Sequence, residues 1–137
     1  MKVPEKSAGE PLVRRIEDVE EESWSTDDGL IVRWWTLLSK DRTPSSGLTV
    51  GIAEIPVDAV APERGHSHDQ NELYFILEGE GTLHTQMGKK HVAKGDAIFL
   101  PGGKEHHITN SGLEDLKLLY VFDADSFDDV EYVRFSP

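Results

Sequence analysis

HSHDQNELYFILEGEGTLHTQM (66–87) is the stretch whose reading decides the fold. Its middle, ELYFILE (72–78), alternates Leu73, Phe75 and Leu77 on one face with Tyr74 and Ile76 on the other. Seven residues is a strand's length, and apolar side chains on both sides belong to a strand covered on both faces. Gly79-Glu80-Gly81 closes the run, and TLHTQM (82–87) leads into Gly88-Lys89-Lys90. Because glycine reaches positive φ without steric cost, both glycine clusters read as hairpin turns. Working outward, the texture repeats. IVRWWTLL (31–38), LTVGIAEI (48–55), AIFL (97–100) and LKLLYVF (116–122) are short apolar runs. DRTPSSG, PVDAVAPERG, PGGKE and NSGLED punctuate them. Short strands at such spacing predict an all-β sandwich or barrel. Residues 1–26 read as a polar N-terminal arm, acidic at Glu17, Asp18, Glu20, Glu21 and Glu22, and residues 27–137 as one β-barrel domain. Near the end, Ser126 offers a cap for one helical turn before a last strand around Val130–Arg134.

Composition narrows the chemistry. A chain of 137 residues holds one domain. Its net charge of −12 repels a phosphate backbone, so nucleic acid is not an expected partner. No apolar run approaches the length of a membrane span, so no membrane partner is expected either. The absence of cysteine removes disulfides, thiolate metal sites and cysteine nucleophiles together. MKVPEKSAGEPLVRRIEDVEEES (1–23) lacks the apolar core of a secretion signal, which makes the cytoplasm the expected compartment.

The histidines carry the functional signal. All six lie from residue 66 to residue 107. His66 and His68 are two apart, on one face if the backbone is extended, and Glu72 follows closely. A barrel can bring the strand that carries His106 opposite them. Three imidazoles and one carboxylate then converge on one interior point. That donor set suits one divalent transition metal, and Fe, Mn, Ni, Co and Zn all remain open. Tyr74 stands two residues beyond Glu72, on the same face, where a phenol close to a metal can have its pKa lowered and act as a general base. Trp34 and Trp35 must face opposite sides of a strand, so one of them is expected inside the barrel. His84 reads as a rim residue; His91 and His107 read as exposed. Tyr120 reads as a packing residue.

These motifs resemble the cupin superfamily. Its first motif is met by His66, His68, Glu72 and Gly79, and its second by Gly95, Pro101, Gly103, His106 and Asn110. The chain departs from the pattern at Val60, where the first motif ordinarily has a glycine; a glycine sits at 65 instead, which alters a turn and not a ligand. The resemblance implies a double-stranded β-helix, or jelly-roll barrel, with His66, His68, Glu72 and His106 as metal ligands. A narrower resemblance is to the small single-domain cupins that cleave dimethylsulfoniopropionate to dimethyl sulfide and acrylate. It rests on ESWS (22–25), VRW (32–34), SGLTVGIAEI (46–55), ELY (72–74), Glu105-His106 and DSFDDVEY (125–132). This implies a β-elimination on a small carboxylate-bearing molecule, with Tyr74 and Tyr132 as catalytic residues and an aromatic wall, from Trp34 or Trp35 and Tyr132, for the sulfonium.

Other readings of the same donors are an Fe(II) dioxygenase, a metal-assisted isomerase or epimerase, and a non-catalytic small-molecule or sugar-binding cupin. The doubly apolar ELYFILE predicts a homodimer, with residues 10–38 helping to cover the partner.

Overall fold

The computed structural model describes residues 9–135. Among these, after a 3-10 turn at Ile16–Asp18, come eleven strands: β1 (Glu22–Thr26), β2 (Gly29–Leu38), β3 (Thr49–Ile55), β4 (His66–Ser67), β5 (Glu72–Glu78), β6 (Glu80–Thr85), β7 (Gly88–Ala93), β8 (Ala97–Leu100), β9 (His106–Asn110), β10 (Leu116–Phe122) and β11 (Val133–Arg134). They form two antiparallel sheets. The larger runs β1-β2-β3-β10-β5-β8 and the smaller β11-β4-β9-β6-β7. The expected all-β jelly-roll barrel is what the chain forms.

Alternation sorts the side chains of the larger sheet into two sets. Across β3, β10, β5 and β8, Gly51, Tyr120, Tyr74 and Ile98 make one inward row, and Thr49, Phe122, Glu72 and Leu100 the next. Ile76, Leu116, Leu118 and Phe122 are at most 2% exposed and form the centre of the core. A buried side chain of that size contributes roughly 1.5–3 kcal/mol. Two polar residues share the inward face for different reasons: Glu72 lines a cavity, and the fully buried Thr49 donates its hydroxyl to the Ala124 carbonyl oxygen at 2.9 Å.

Two sequence expectations change here. Of the stretch read as an arm, Glu22–Thr26 pairs along β2 as the edge of the larger sheet. Its single apolar residue, Trp24, gives no period to read. Gly79-Glu80-Gly81 is not a hairpin either: β5 and β6 lie in different sheets, and Gly79 (φ +82°) passes the chain from one to the other. A Cβ there would stand 2.7 Å from the Asp115 carbonyl oxygen, so the crossing needs both the positive φ and the missing side chain. The turn before Gly88 does close a hairpin, with Thr85 paired to Gly88. Ser126 caps a 3-10 turn at Phe127–Asp129, its hydroxyl accepting from the Asp128 N–H at 3.2 Å.

Candidate metal centre

β4 is short, and what surrounds it holds it in place. His66 pairs with His106 on one side and Arg134 on the other. Gly65 permits that closeness, since a Cβ would come within 2.4 Å of the His106 carbonyl oxygen. Glu105 then ties the approach to β4 to the start of β9. Its carboxylate accepts from Arg64 Nε at 2.9 Å, Arg64 Nη2 at 2.6 Å and the Gly65 N–H at 3.1 Å. The Arg64 guanidinium and the Gly65 amide hold the Glu105 carboxyl down at about 2.

This framework gathers the imidazoles. Ring centroids lie 4.7 Å apart for His66 and His106, 5.0 Å for His68 and His106, and 5.8 Å for His66 and His68. One nitrogen from each ring lies within 4.8 Å of the other two. Glu72 arrives from the opposite sheet, its Oε1 at 3.1 Å from His68 Nε2 and 3.4 Å from His106 Nε2.

The backbone sets the tautomers. His68 Nδ1 is 2.9 Å from the Gln70 carbonyl oxygen, and His106 Nδ1 is 3.1 Å from that of Lys104. A carbonyl can only accept, so each Nδ1 carries the hydrogen and each Nε2 turns its lone pair inward. His106 Nε2 is buried with no hydrogen-bond partner and lies 3.4 Å from Glu72 Oε1, the same oxygen that His68 Nε2 meets at hydrogen-bond distance, 3.1 Å. A neutral ring there turns a lone pair on the carboxylate, and positive charge between them relieves the repulsion: a proton on His68 serves that ring alone, whereas a divalent cation would serve His68, His106 and Glu72 at once. Burial, then the charges of His106 and His68, push His66 down to about 3, so this ring is neutral as a ligand must be. Burial works against charge on His68, but the Glu72 carboxylate outweighs it and the net direction is upward. The donors fit a divalent metal ion.

Beside them opens a cavity of about 440 Å³, whose walls include Glu72, Tyr74, Trp34, Phe127, Tyr132 and Arg134. The cupin domain family matches residues 51–122, over half of the chain, a range that contains His66, His68, Glu72 and His106. The chain is a cupin. A dimethylsulfoniopropionate lyase of Ruegeria pomeroyi, DddW, is 34% identical to it over 102 residues, covering 74% of this chain and 64% of that one. The cupin thus spans less than two thirds of that relative's length. Among solved structures, a cupin-2 domain of Rhodospirillum rubrum superposes with a TM-score of 0.70 at 18% identity, over 97% of this chain and 82% of that one. A predicted oxalate decarboxylase of Thermotoga maritima gives a TM-score of 0.63 at 26% identity, over 82% of this chain and 99% of that one.

The cupin brings Tyr74 and Tyr132 to the same centre. Tyr74 stacks edge-on to His106 at 6.3 Å, and Tyr132 stands 4.9 Å from His66 and 5.6 Å from His68. Burial, then the Glu72 charge, raises Tyr74 well above its ordinary value, the reverse of the lowering expected from the sequence. Cationic charge in the cavity acts in the opposite direction. Trp34 is the tryptophan of its pair that lines the cavity, stacked on Phe127 at 6.2 Å. His107 is a correction: it is buried, with its ring 4.3 Å from that of His84 and nearly parallel. β6 and β9 set the two rings directly opposite each other, and the backbone at Gly65 covers His107. Burial, then the His84 charge, lowers His107 to about 4. His91 is exposed, beside Glu80 at 3.6 Å. Trp24, Tyr120 and Arg134 also line the cavity, and no local signal marked them, because each is brought in by strand pairing.

Proposed function

We propose that this cupin is a metal-dependent lyase that breaks a carbon–sulfur bond by β-elimination in a small carboxylate, of the dimethylsulfoniopropionate type. The observation that carries the reading is Tyr74: a phenol two residues from Glu72, on the same strand face, beside His106 and opening on the cavity. The 34% identity to a lyase of that substrate supports it. His66, His68, Glu72 and His106 would hold a divalent metal, which supplies Lewis acidity toward a substrate oxygen. Tyr74, as its phenolate, takes the proton from the carbon next to the carboxylate. The electrons of that C–H bond form the carbon–carbon double bond, and those of the carbon–sulfur bond leave with sulfur, so dimethyl sulfide departs neutral and acrylate remains. Tyr132 would donate to the carboxylate, a role supported by its place on the cavity wall. Trp34 and Phe127 offer aromatic faces to the sulfonium.

The test is headspace detection of dimethyl sulfide from the purified protein, with Tyr74→Phe alongside. The variant should keep its metal and lose turnover by about a hundredfold or more, the range for removal of a general base. Full activity in Tyr74→Phe removes Tyr74 as base. Oxygen uptake dependent on iron, with no dimethyl sulfide, moves the assignment to a dioxygenase.

The protein as a dimer belongs to the same proposal. On the outer face of the larger sheet, Trp35, Ile52, Leu119 and Phe75 form one cross-strand row, and Leu38, Val50, Val121, Leu73 and Phe99 the next. These rows are the far side of the doubly apolar ELYFILE. A second copy of the chain, related by a two-fold axis, offers the matching surface.

A further inference from the structure

Arg134 is the only arginine or lysine among the described residues that line the cavity, and Glu72 is the only carboxylate there. Its guanidinium lies over the Trp24 ring at 4.1 Å and the Tyr132 ring at 5.4 Å. Among the described residues no carboxylate forms an ion pair with it, in a chain that carries 26 acidic side chains. A cation placed on aromatic faces keeps its N–H edge available, and that edge is the part that matches two oxygens of a planar oxyanion. Strand register then fixes where such an oxyanion would sit, because Arg134 pairs across from His66 on β4.

We infer that Arg134 is a carboxylate-binding residue of the substrate site, held ready by Trp24 and Tyr132. A small molecule enters with its carboxylate against the guanidinium, beside His66, and its remaining atoms extend toward Glu72 and Tyr74. The inference rests on the small-carboxylate reading and adds the group that recognises the carboxylate. It also settles which aromatics are left for a cationic substrate end. Trp24 and Tyr132 already carry the protein's own cation, so a sulfonium is left with Trp34 and Phe127, not with the Tyr132 wall expected from the sequence.

The experiment is equilibrium binding of propionate, with propionamide as the uncharged control, to the protein as purified. It compares wild type with Arg134→Gln and Arg134→Lys, with metal content and thermal unfolding measured on each. Wild type should bind propionate and not propionamide. Arg134→Gln should keep metal and fold and weaken propionate about tenfold to a hundredfold, the range for losing a charge-assisted hydrogen-bonded pair. Arg134→Lys should fall between, since it keeps the charge and loses the fork. Undiminished propionate binding in Arg134→Gln overturns the role of Arg134 while leaving the small-carboxylate reading standing. No propionate binding by wild type removes both. Should Arg134→Gln lose metal or fold, Arg134→Lys decides alone, and wild-type affinity in that variant overturns the bidentate contact.

Discussion

Glu105 lies outside the donor set, yet the donor set depends on it. It holds Arg64 and the Gly65 amide, and through them keeps His66 against His106. Its carboxyl lies at about 2 in the fold against an ordinary 4.5. A depressed carboxyl stabilises the folded state above its unfolded value, and that contribution is lost as the pH falls from about 4.5 through about 2. Acid titration of stability should therefore be shallower in Glu105→Gln than in wild type between pH 5 and pH 2. Equal slopes in the two proteins would show that the pair contributes nothing to acid sensitivity. The residue-scale lesson concerns tautomers. Spacing and motif marked His68 and His106 as candidate donors, but it is the Gln70 and Lys104 carbonyls that turn Nε2 toward the centre. Where a carbonyl lies relative to a ring depends on loop conformation, which spacing does not contain.

At the scale of elements, β5 does the most. It carries Glu72 and Tyr74 inward, Phe75 outward, and is followed at once by Gly79. Because β5 and β6 belong to different sheets, Gly79 is a crossing between layers. Gly79→Ala meets a left-handed backbone and the Asp115 carbonyl oxygen at once. It should destabilise the protein by at least about 1–2 kcal/mol, the ordinary cost of placing a Cβ in that region, read as a lower urea midpoint at unchanged slope. An unchanged midpoint would mean that the crossing can relax without cost. The period-2 pattern of ELYFILE was legible because alternation is a local property of an extended chain. The partner of each strand was not. A glycine pair after a strand looks the same whether the chain folds back beside it or leaves for another sheet.

For the whole molecule, the apolar outer face of the larger sheet is the surface that the proposed dimer would cover. Phe99 is 67% exposed and Phe75 37%, and both sit in the cross-strand rows described above. At a net charge of −12 per chain, association must overcome like-charge repulsion, so the buried apolar rows have to supply it. Sedimentation at micromolar concentration should show a dimer for wild type and a monomer for Phe99→Glu, with the near-ultraviolet circular dichroism retained. A wild-type monomer at that concentration removes the proposed interface. Among the described residues no helix is long and apolar enough to cross a membrane.

The order of residues along the chain was enough to determine an all-β barrel and to single out His66, His68 and His106, which the fold gathers into a group that could hold a metal ion, with Glu72 proposed as their fourth partner. Alternation and short-range spacing express themselves within one or two strands, and the cupin motifs are built from such local spacings. Tertiary structure alone decided which other side chains join them. Trp24 and Arg134 come from opposite ends of the chain, β1 and β11, and meet at 4.1 Å beside the cavity. His107, next to the buried His106 and expected outside, is buried by a ring on β6 and by the backbone at Gly65. Such meetings depend on which strands pair and in what register. That choice is made by the packing of the whole barrel, and no window of sequence a few residues wide carries it.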